Sequence, residues 1–422
     1  MKIRLGYSSK NIIYCILIFI LLLNIGALKV FDYDLLAGTY KIRYITFVLL
    51  LCGYTILTYN KTYYSFYIRA FFVIYLLLFL VYAYSITIYD QSLYNIIKQN
   101  IHVTYYLIIL LILQLNSNDK FKKIYIMLII ITLFTLFAKT YSWFLINYRG
   151  IIIFPNLLYE YGTLWKREGL YRYTSTATGS LCFTLISFDF LILSRRNDLF
   201  KKIVDICLLI FIILFDFFIY QSRAECIICI STFAVMFLLK KQYKLDKMFL
   251  KIVIIVFVAI ALLCTGILGK VYASFSPDAL NGGTTRLRLE AFKHYFYYFK
   301  KNPIFGIGFL DNTNNYLLTI RNGILGNLYL DDLGVIGFIF QFGLMGLVIL
   351  SIIYSRMVSI FYHEKNADFK VLLGGLIILF TMMNIMSACP FDSQRMIMVP
   401  FLLAIFESRI HCIKGRVYEI VE

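Results

Sequence analysis

The sequence predicts an all-α, polytopic membrane protein of about twelve transmembrane helices, built as a single integral membrane domain over residues 1–422. Three observations predict it. Hydrophobic residues make up 61% of the chain and charged ones only 15%, which leaves a soluble protein too little polar surface to cover itself. The apolar residues gather into runs of membrane-spanning length. Basic residues favour alternate connections between those runs, as they do when every second loop is cytoplasmic.

The runs lie at about 12–31, 42–58, 68–89, 101–115, 124–146, 174–193, 203–221, 224–239, 250–271, 333–354, 371–388 and 396–408. The first has span length and lacks a small-residue cleavage site, so it reads as a retained helix. The seventh and eighth are parted only by Gln221-Ser222-Arg223-Ala224-Glu225. With the N-terminus in the cytoplasm, the connections on that side hold about 23 of the 41 Lys and Arg residues, against about 6 in the short connections opposite. Both termini are therefore expected to be cytoplasmic.

The remaining dozen basic residues fall in or beside two long outer loops, about 147–173 and 273–332. The net charge of +18 is thus partly a topology signal at the anionic inner leaflet and partly an outer surface suited to an anionic substrate. It requires no nucleic-acid partner. No repeat relates the two halves, which disfavours transporter folds built from duplicated bundles. The cysteines sit mostly inside apolar runs, among them Cys15, Cys52, Cys207 and Cys264, and read as buried thiols that pack as small hydrophobes. Cys226-x-x-Cys229 lies in such a run with no histidine or second pair, so zinc and redox readings are rejected. Of the four histidines only His294 and His102 are expected outside, neither with a ligand partner near it in sequence. No metal or other cofactor is expected.

The large outer loop between the ninth and tenth runs carries the densest polar chemistry. Thr284 or Thr285 is suited to cap an amphipathic helix over 286–301, which Asn302-Pro303 stops. Helical spacing from Arg288 puts Phe292, Tyr295, Phe296 and Phe299 on one face, with Lys293, Tyr297, Lys300 and Lys301 elsewhere. The plain reading is an interfacial helix with its aromatics in the headgroup layer. The sharper one turns Arg288, and Arg286 with it, into the protein to grip a diphosphate, because a planar guanidinium donates two hydrogen bonds to phosphate at once. Gly306-x-Gly308 reads as a tight turn. Asp311, Asn312, Asn314 and Asn315 suit sugar hydroxyls, and equally a solvated loop. Asp331 and Asp332 stand before the tenth run, where they either cap its helix or supply a base whose pKa a like-charged neighbour raises.

Two features lie off that loop. Arg223 sits in the tight outer turn with Asp216 seven residues before it. It either snorkels to lipid headgroups or faces substrate, with Asp216 orienting or neutralising it. Arg395, beside Asp392 in the last outer turn, poses the same alternatives.

In order, these segments resemble the bacterial O-antigen polymerase and O-antigen ligase superfamily and its capsule and exopolysaccharide relatives. The resemblance rests on Ser222-Arg223-Ala224 opening a membrane helix, Arg288-Leu289-Glu290-Ala291-Phe292, Asn302 to Gly308, and Asp332 to Gly337, and these motifs cover about 120 residues. It implies a multi-helix, metal-independent glycosyltransferase of the type called C, acting at the outer face of the bacterial cytoplasmic membrane on glycan carried by undecaprenyl diphosphate. Arg223 and Arg288 would then bind the diphosphate. A lipid-linked-glycan flippase and a chain-length regulator are the implied partners. Ligases of the family carry a His-Asn pair shortly before the acidic-Leu-Gly element, where this chain has Gly326-Asn327, and often Trp where it has Phe292. That departure favours the polymerase branch over the ligase branch. A flippase or transporter of the same glycan is the alternative from another class, and it leaves the large loop without a purpose. For the base that deprotonates the attacking hydroxyl, the residues point to Asp332 or Asp331, with Glu290 as an outsider.

Overall fold

The computed structural model describes residues 7–31, 39–56, 65–115, 118–158, 166–167, 169–173, 178–193, 199–240, 283–310, 315–323, 326, 328–387, 391–392 and 395–419. These residues are almost entirely helical. In chain order the helices are α1 (Tyr7–Ile25), α2 (Thr39–Ile56), α3 (Ser65–Tyr89), α4 (Leu93–Gln114), α5 (Asn118–Arg149), α6 (Gly179–Phe188), α7 (Leu199–Leu214), α8 (Arg223–Leu239), α9 (Gly283–Phe299), α10 (Asn315–Asn322), α11 (Val335–His363), α12 (Ala367–Met386) and α13 (Met398–Glu419). Eleven of the twelve apolar runs fall on these helices, and the run at 250–271 lies outside the described residues. Five described helices have stretches long and apolar enough to cross a membrane: α3, α4, α5, α11 and α12. Together with their outward apolar surface, at Phe72, Phe79, Phe134 and Leu344 among others, they make this a multi-pass membrane protein.

Local chemistry sets several boundaries away from the sequence expectation. The run expected at 101–115 is the apolar end of a longer helix, because Leu93–Asn100 precedes it with two amphipathic turns that hydropathy alone passes over. Its middle, Ile101–Leu107, tightens to a 3₁₀ helix. α6 and α7 both end in π-helical turns, Asp189–Leu193 and Phe215–Ile219.

Close packing follows small residues. α8 packs most extensively on α12, where a Cβ added at Gly374 or Gly375 would lie 2.4 Å from Leu239 Cδ1 or 2.5 Å from Met236 Cγ. The start of α13 is the centre of the bundle: Met398, Val399, Phe401, Leu402 and Phe406 are wholly enclosed, largely by α4 and α11. The thiols divide rather than all burying themselves. Cys182, Cys226 and Cys229 are enclosed, while Cys15, Cys52 and Cys207 are exposed on apolar helices.

Candidate active site

The site is built on a break in α11. Gly343 adopts φ 61° and ψ −146°, which interrupts the helix eight residues from its start. The break detaches the Phe340 and Gln341 carbonyls from the helical ladder, and the segment Pro303–Gly308 takes its place. Ile307 N–H donates to the Phe340 carbonyl (2.8 Å) and Gly308 N–H to the Gln341 carbonyl (2.7 Å), while Leu344 N–H donates to the Pro303 carbonyl (3.0 Å). Only glycine allows this approach. A Cβ at Gly306 would lie 2.5 Å from the Phe340 oxygen, and one at Gly343 would lie 2.4 Å from the Ile304 oxygen. On its other side the segment is held by α3 and its C-terminal turn. Ser85 Oγ accepts from Phe309 N–H (2.8 Å), Tyr89 Oη donates to the Ile307 carbonyl (3.0 Å) and Gln91 Nε2 to the Phe309 carbonyl (2.7 Å). Gly306-x-Gly308 is therefore a docking motif and not merely a turn.

α9 is the second support. Its Phe292, Phe296 and Phe299 rings pack around Phe340 of α11 with centroids 5.3, 5.9 and 5.3 Å away. The aromatic face expected in the headgroup layer is thus spent on a protein contact. The polar edge of the helix ties down α10: His294 Nε2 donates to the Ile320 carbonyl (2.9 Å) and Tyr295 Oη to the Arg321 carbonyl. Those bonds satisfy carbonyls at the end of a two-turn helix and fix the backbone of Arg321.

Asp331–Leu333 forms a 3₁₀ turn ahead of α11. Gly334, not an aspartate, occupies the N-cap position, with no side-chain cap, so the helix-capping reading of the paired acids does not hold. A Cβ at Gly334 would meet the Ile385 carbonyl at 2.2 Å, and one at Gly337 the Leu330 carbonyl at 2.0 Å. The acidic-Leu-Gly-x-x-Gly pattern thereby presses the aspartate turn against the end of α12.

These supports enclose a polar pocket of about 170 Å³, lined among others by Arg43, Gln99, Asn100, His102, Arg321 and Asp331, with Gly308 to Leu310 and Gln341 in its wall. Asp331 is exposed and lines the pocket, with protein atoms packed densely around it. Removal from bulk water, then repulsion from Asp392 and Asp332, raises its carboxyl to about 7 against the pull of Arg321 and Arg395. A carboxylate in that range is suited to take a proton near neutrality.

A buried ion cluster adjoins the pocket. Arg395 donates to Asp392 through Nη1 (2.5 Å) and to Tyr220 Oη through Nη2 (3.3 Å), and its Nη2 lies 3.5 Å from Glu225 Oε1. Ser180 Oγ donates to the other Glu225 oxygen (2.7 Å). Surrounded by these acids, Arg395 is held firmly as a cation, its pKa well above the ordinary arginine value despite its removal from water. The turn that carries Arg223 is strapped from outside by the hairpin Lys166–Arg167 and Leu170–Tyr171: Arg167 donates to the Gln221 carbonyl (3.1 Å) and Arg172 to the Tyr220 carbonyl (2.6 Å).

The expected site residues divide accordingly. Asp331 lines the pocket and is exposed, as is Asp332 beside it; Arg395 is not among the described lining residues and acts on Asp331 through its charge. Arg223 is the first residue of α8, half-buried behind the Ser222 N-cap, and Arg288 is half-buried on α9; neither is among the described residues lining the pocket. Asp216 is buried in the π-turn before Arg223, its carbonyl accepting from Ser222 N–H (2.8 Å). Arg286 does not turn inward: it faces solvent and pairs with Glu290 one turn on (2.9 Å). Asn315 is exposed at the start of α10, and Asp311 lies outside the described residues. Sequence reasoning noted His102 only as an outer histidine without a ligand partner, and missed Arg43, Gln99, Arg321 and Glu225. Of these only Glu225 carried a signal, an acid in the first turn of an apolar run. No group of three or more potential metal ligands occurs among the described residues.

Residues 208–351 match the family model described as O-antigen ligase. The match runs from α7 to the middle of α11, takes in Arg223, Glu225, Arg288, Arg321 and Asp331, and supports the O-antigen polymerase and ligase superfamily, whose members are glycosyl-transferring enzymes. A comparison with curated proteins gives no match.

Proposed function

We propose that the chain is a polysaccharide polymerase that joins undecaprenyl-diphosphate-linked repeat units at the outer face of the bacterial cytoplasmic membrane. The observation that carries the reading is Asp331 lining a sugar-sized polar pocket with Arg43 and Arg321, where its surroundings raise its carboxyl toward neutrality. In the reaction an acceptor hydroxyl oxygen attacks the anomeric carbon of the donor glycan. The bond from that carbon to the diphosphate oxygen breaks, the diphosphate leaves with the electron pair, and Asp331 takes the hydroxyl proton. Negative charge grows on the leaving oxygen, so fixed guanidinium groups in a water-poor site lower the barrier. Arg223 and Arg288, from helices α8 and α9, are the groups assigned to that charge. The buried Glu225–Arg395–Asp392 cluster stands next to Phe391, which lines the pocket, and the termini lie in the cytoplasm.

Arg288→Ala and Arg223→Ala in a polymer-making strain test the assignment. Each is expected to collapse long chains to single lipid-linked repeats on glycan electrophoresis; normal chain length in both, with the protein in the membrane, overturns it. A ligase would instead leave long polymer unattached to its terminal acceptor when the gene is deleted.

A further inference from the structure

The pocket carries two arginines to which neither the motifs nor the proposed chemistry gives a role, and their charge bears on what enters it. Arg43, near the start of α2, and Arg321, at the end of α10, both line it and are half-buried, while Asp331 is exposed, so a ligand can reach all three. Gln99 of α4 ties the two guanidinium groups together. Its backbone carbonyl accepts from Arg43 Nη1 (3.4 Å) and its Oε1 from Arg321 Nη1 (3.4 Å). Both oxygens are neutral, so these bonds aim the guanidinium groups without cancelling their charge. The backbone of Arg321 is fixed as well, because Tyr295 Oη donates to its carbonyl.

Among the arginines and acids of the described lining, two cations stand against one carboxyl, which leaves one positive charge when Asp331 is ionised. That balance selects the ligand. A sugar carboxylate brings one negative charge and accepts two parallel hydrogen bonds from a guanidinium. A diphosphate esterified at both ends brings two, and would set them beside Asp331. Position agrees with charge. In a direct displacement the attacking hydroxyl and the leaving oxygen stand on opposite sides of the anomeric carbon, so the pocket that holds the base belongs to the acceptor. The neighbouring surface has the same sign: Lys293, Lys300 and Lys301 are exposed on and just after α9, where they would draw in an anionic glycan.

We propose that Arg43 and Arg321 form a specificity subsite for a carboxylate on the acceptor sugar, so that the repeat units joined are acidic ones. This deepens the polymerase reading and rests on it. The diphosphate of the donor then lies outside this pocket.

The first test is composition. The polymer from the native host should carry a sugar carboxylate in each repeat; a repeat without one overturns the inference and leaves the polymerase reading standing. The second test uses the full-length protein in nanodiscs, with the undecaprenyl-diphosphate-linked repeat as donor. The acceptor probes are the same repeat on a short soluble lipid, native or with its carboxyl reduced to the alcohol. Reduction is expected to raise the acceptor KM about 10- to 100-fold in the wild type, the worth of a hydrogen bond to a charged group. Arg43→Gln and Arg321→Gln should each raise the KM of the native acceptor and shrink the penalty for reduction, with the donor KM unchanged. Equal KM values for the two acceptors in the wild type overturn the inference, and that comparison needs no variant to fold. A rise in donor KM, or weaker inhibition by inorganic pyrophosphate, in either variant would place the diphosphate in the pocket and overturn it too. Absence of polymer from the wild-type protein with native donor and acceptor overturns the polymerase reading itself.

Discussion

The two ends of the helical bundle use the same residue types to opposite effect. At the end where α11 finishes, two arginines each meet a carboxylate and a ring. Arg356 pairs with Glu407 through two bonds (2.6 and 3.0 Å) over Phe66, and Arg409 pairs with Glu364 (2.7 and 3.5 Å) over Phe369. At the end where α11 begins, Arg395 is divided among Glu225, Asp392 and Tyr220, while Asp331 is crowded by Asp392 and Asp332. Matched pairs are fasteners: their charges are satisfied in place and have nothing left for a ligand. Crowded acids hold a carboxyl near neutral pKa, where it can exchange a proton.

The largest effect expected from that contrast is on chemistry. Asp331→Asn should cut the polymerisation rate on the order of 10²–10⁴-fold, the usual worth of a positioned base, with thermal stability in detergent little changed. A variant that still makes long chains at a normal rate would break the comparison at its active end. The fastening end should fail in the other way. Arg356→Met leaves Glu407 buried without its cation and should destabilise the fold by roughly 3 kcal/mol, seen as a lower unfolding temperature. The rate per folded molecule should stay the same, and a fall in that rate would mean the two ends are not separable.

A smaller effect concerns pH. The base must be ionised, so the rate should rise with pH through about 7, where the Asp331 carboxyl loses its proton. Asp332→Asn removes a repelling charge and lowers that pKa, so the midpoint of the rate profile should move toward acid; a shift toward alkali would contradict the crowding account. The smallest effect belongs to the exposed pair on α9. Arg286→Ala should change stability by no more than about 0.5 kcal/mol and leave chain length alone on electrophoresis.

The fold was legible from its apolar runs because span length is imposed by the bilayer, and eleven runs fall on helices. The site was legible only where charge was out of place in sequence. Asp331 and Arg395 stood out at span boundaries for that reason. Arg43, Gln99 and His102 did not, since polar residues on α2 and α4 look like ordinary helix ends until α10 and the Phe391 turn fold over them. Arg286 misled in the opposite sense, because residue type could not distinguish a guanidinium aimed at substrate from one tied to Glu290 a turn away. The aromatic face of α9 was read correctly as a face, but its partner was Phe340 of α11, fixed by tertiary contact.

The break at Gly343 also bears on how the protein is made. It lies about 12 Å along α11 at 1.5 Å per residue, and the Phe340 and Gln341 carbonyls beside it are satisfied by Ile307 and Gly308. Carbonyls left bare within hydrocarbon cost several kcal/mol each. A newly inserted α11 must therefore either zip through Gly343 as an unbroken helix or wait for the 303–308 segment to dock. The 303–308 segment and this span are therefore expected to mature together. Substituting Gly306 or Gly343 would leave the helix to insert and the loop without a place to land.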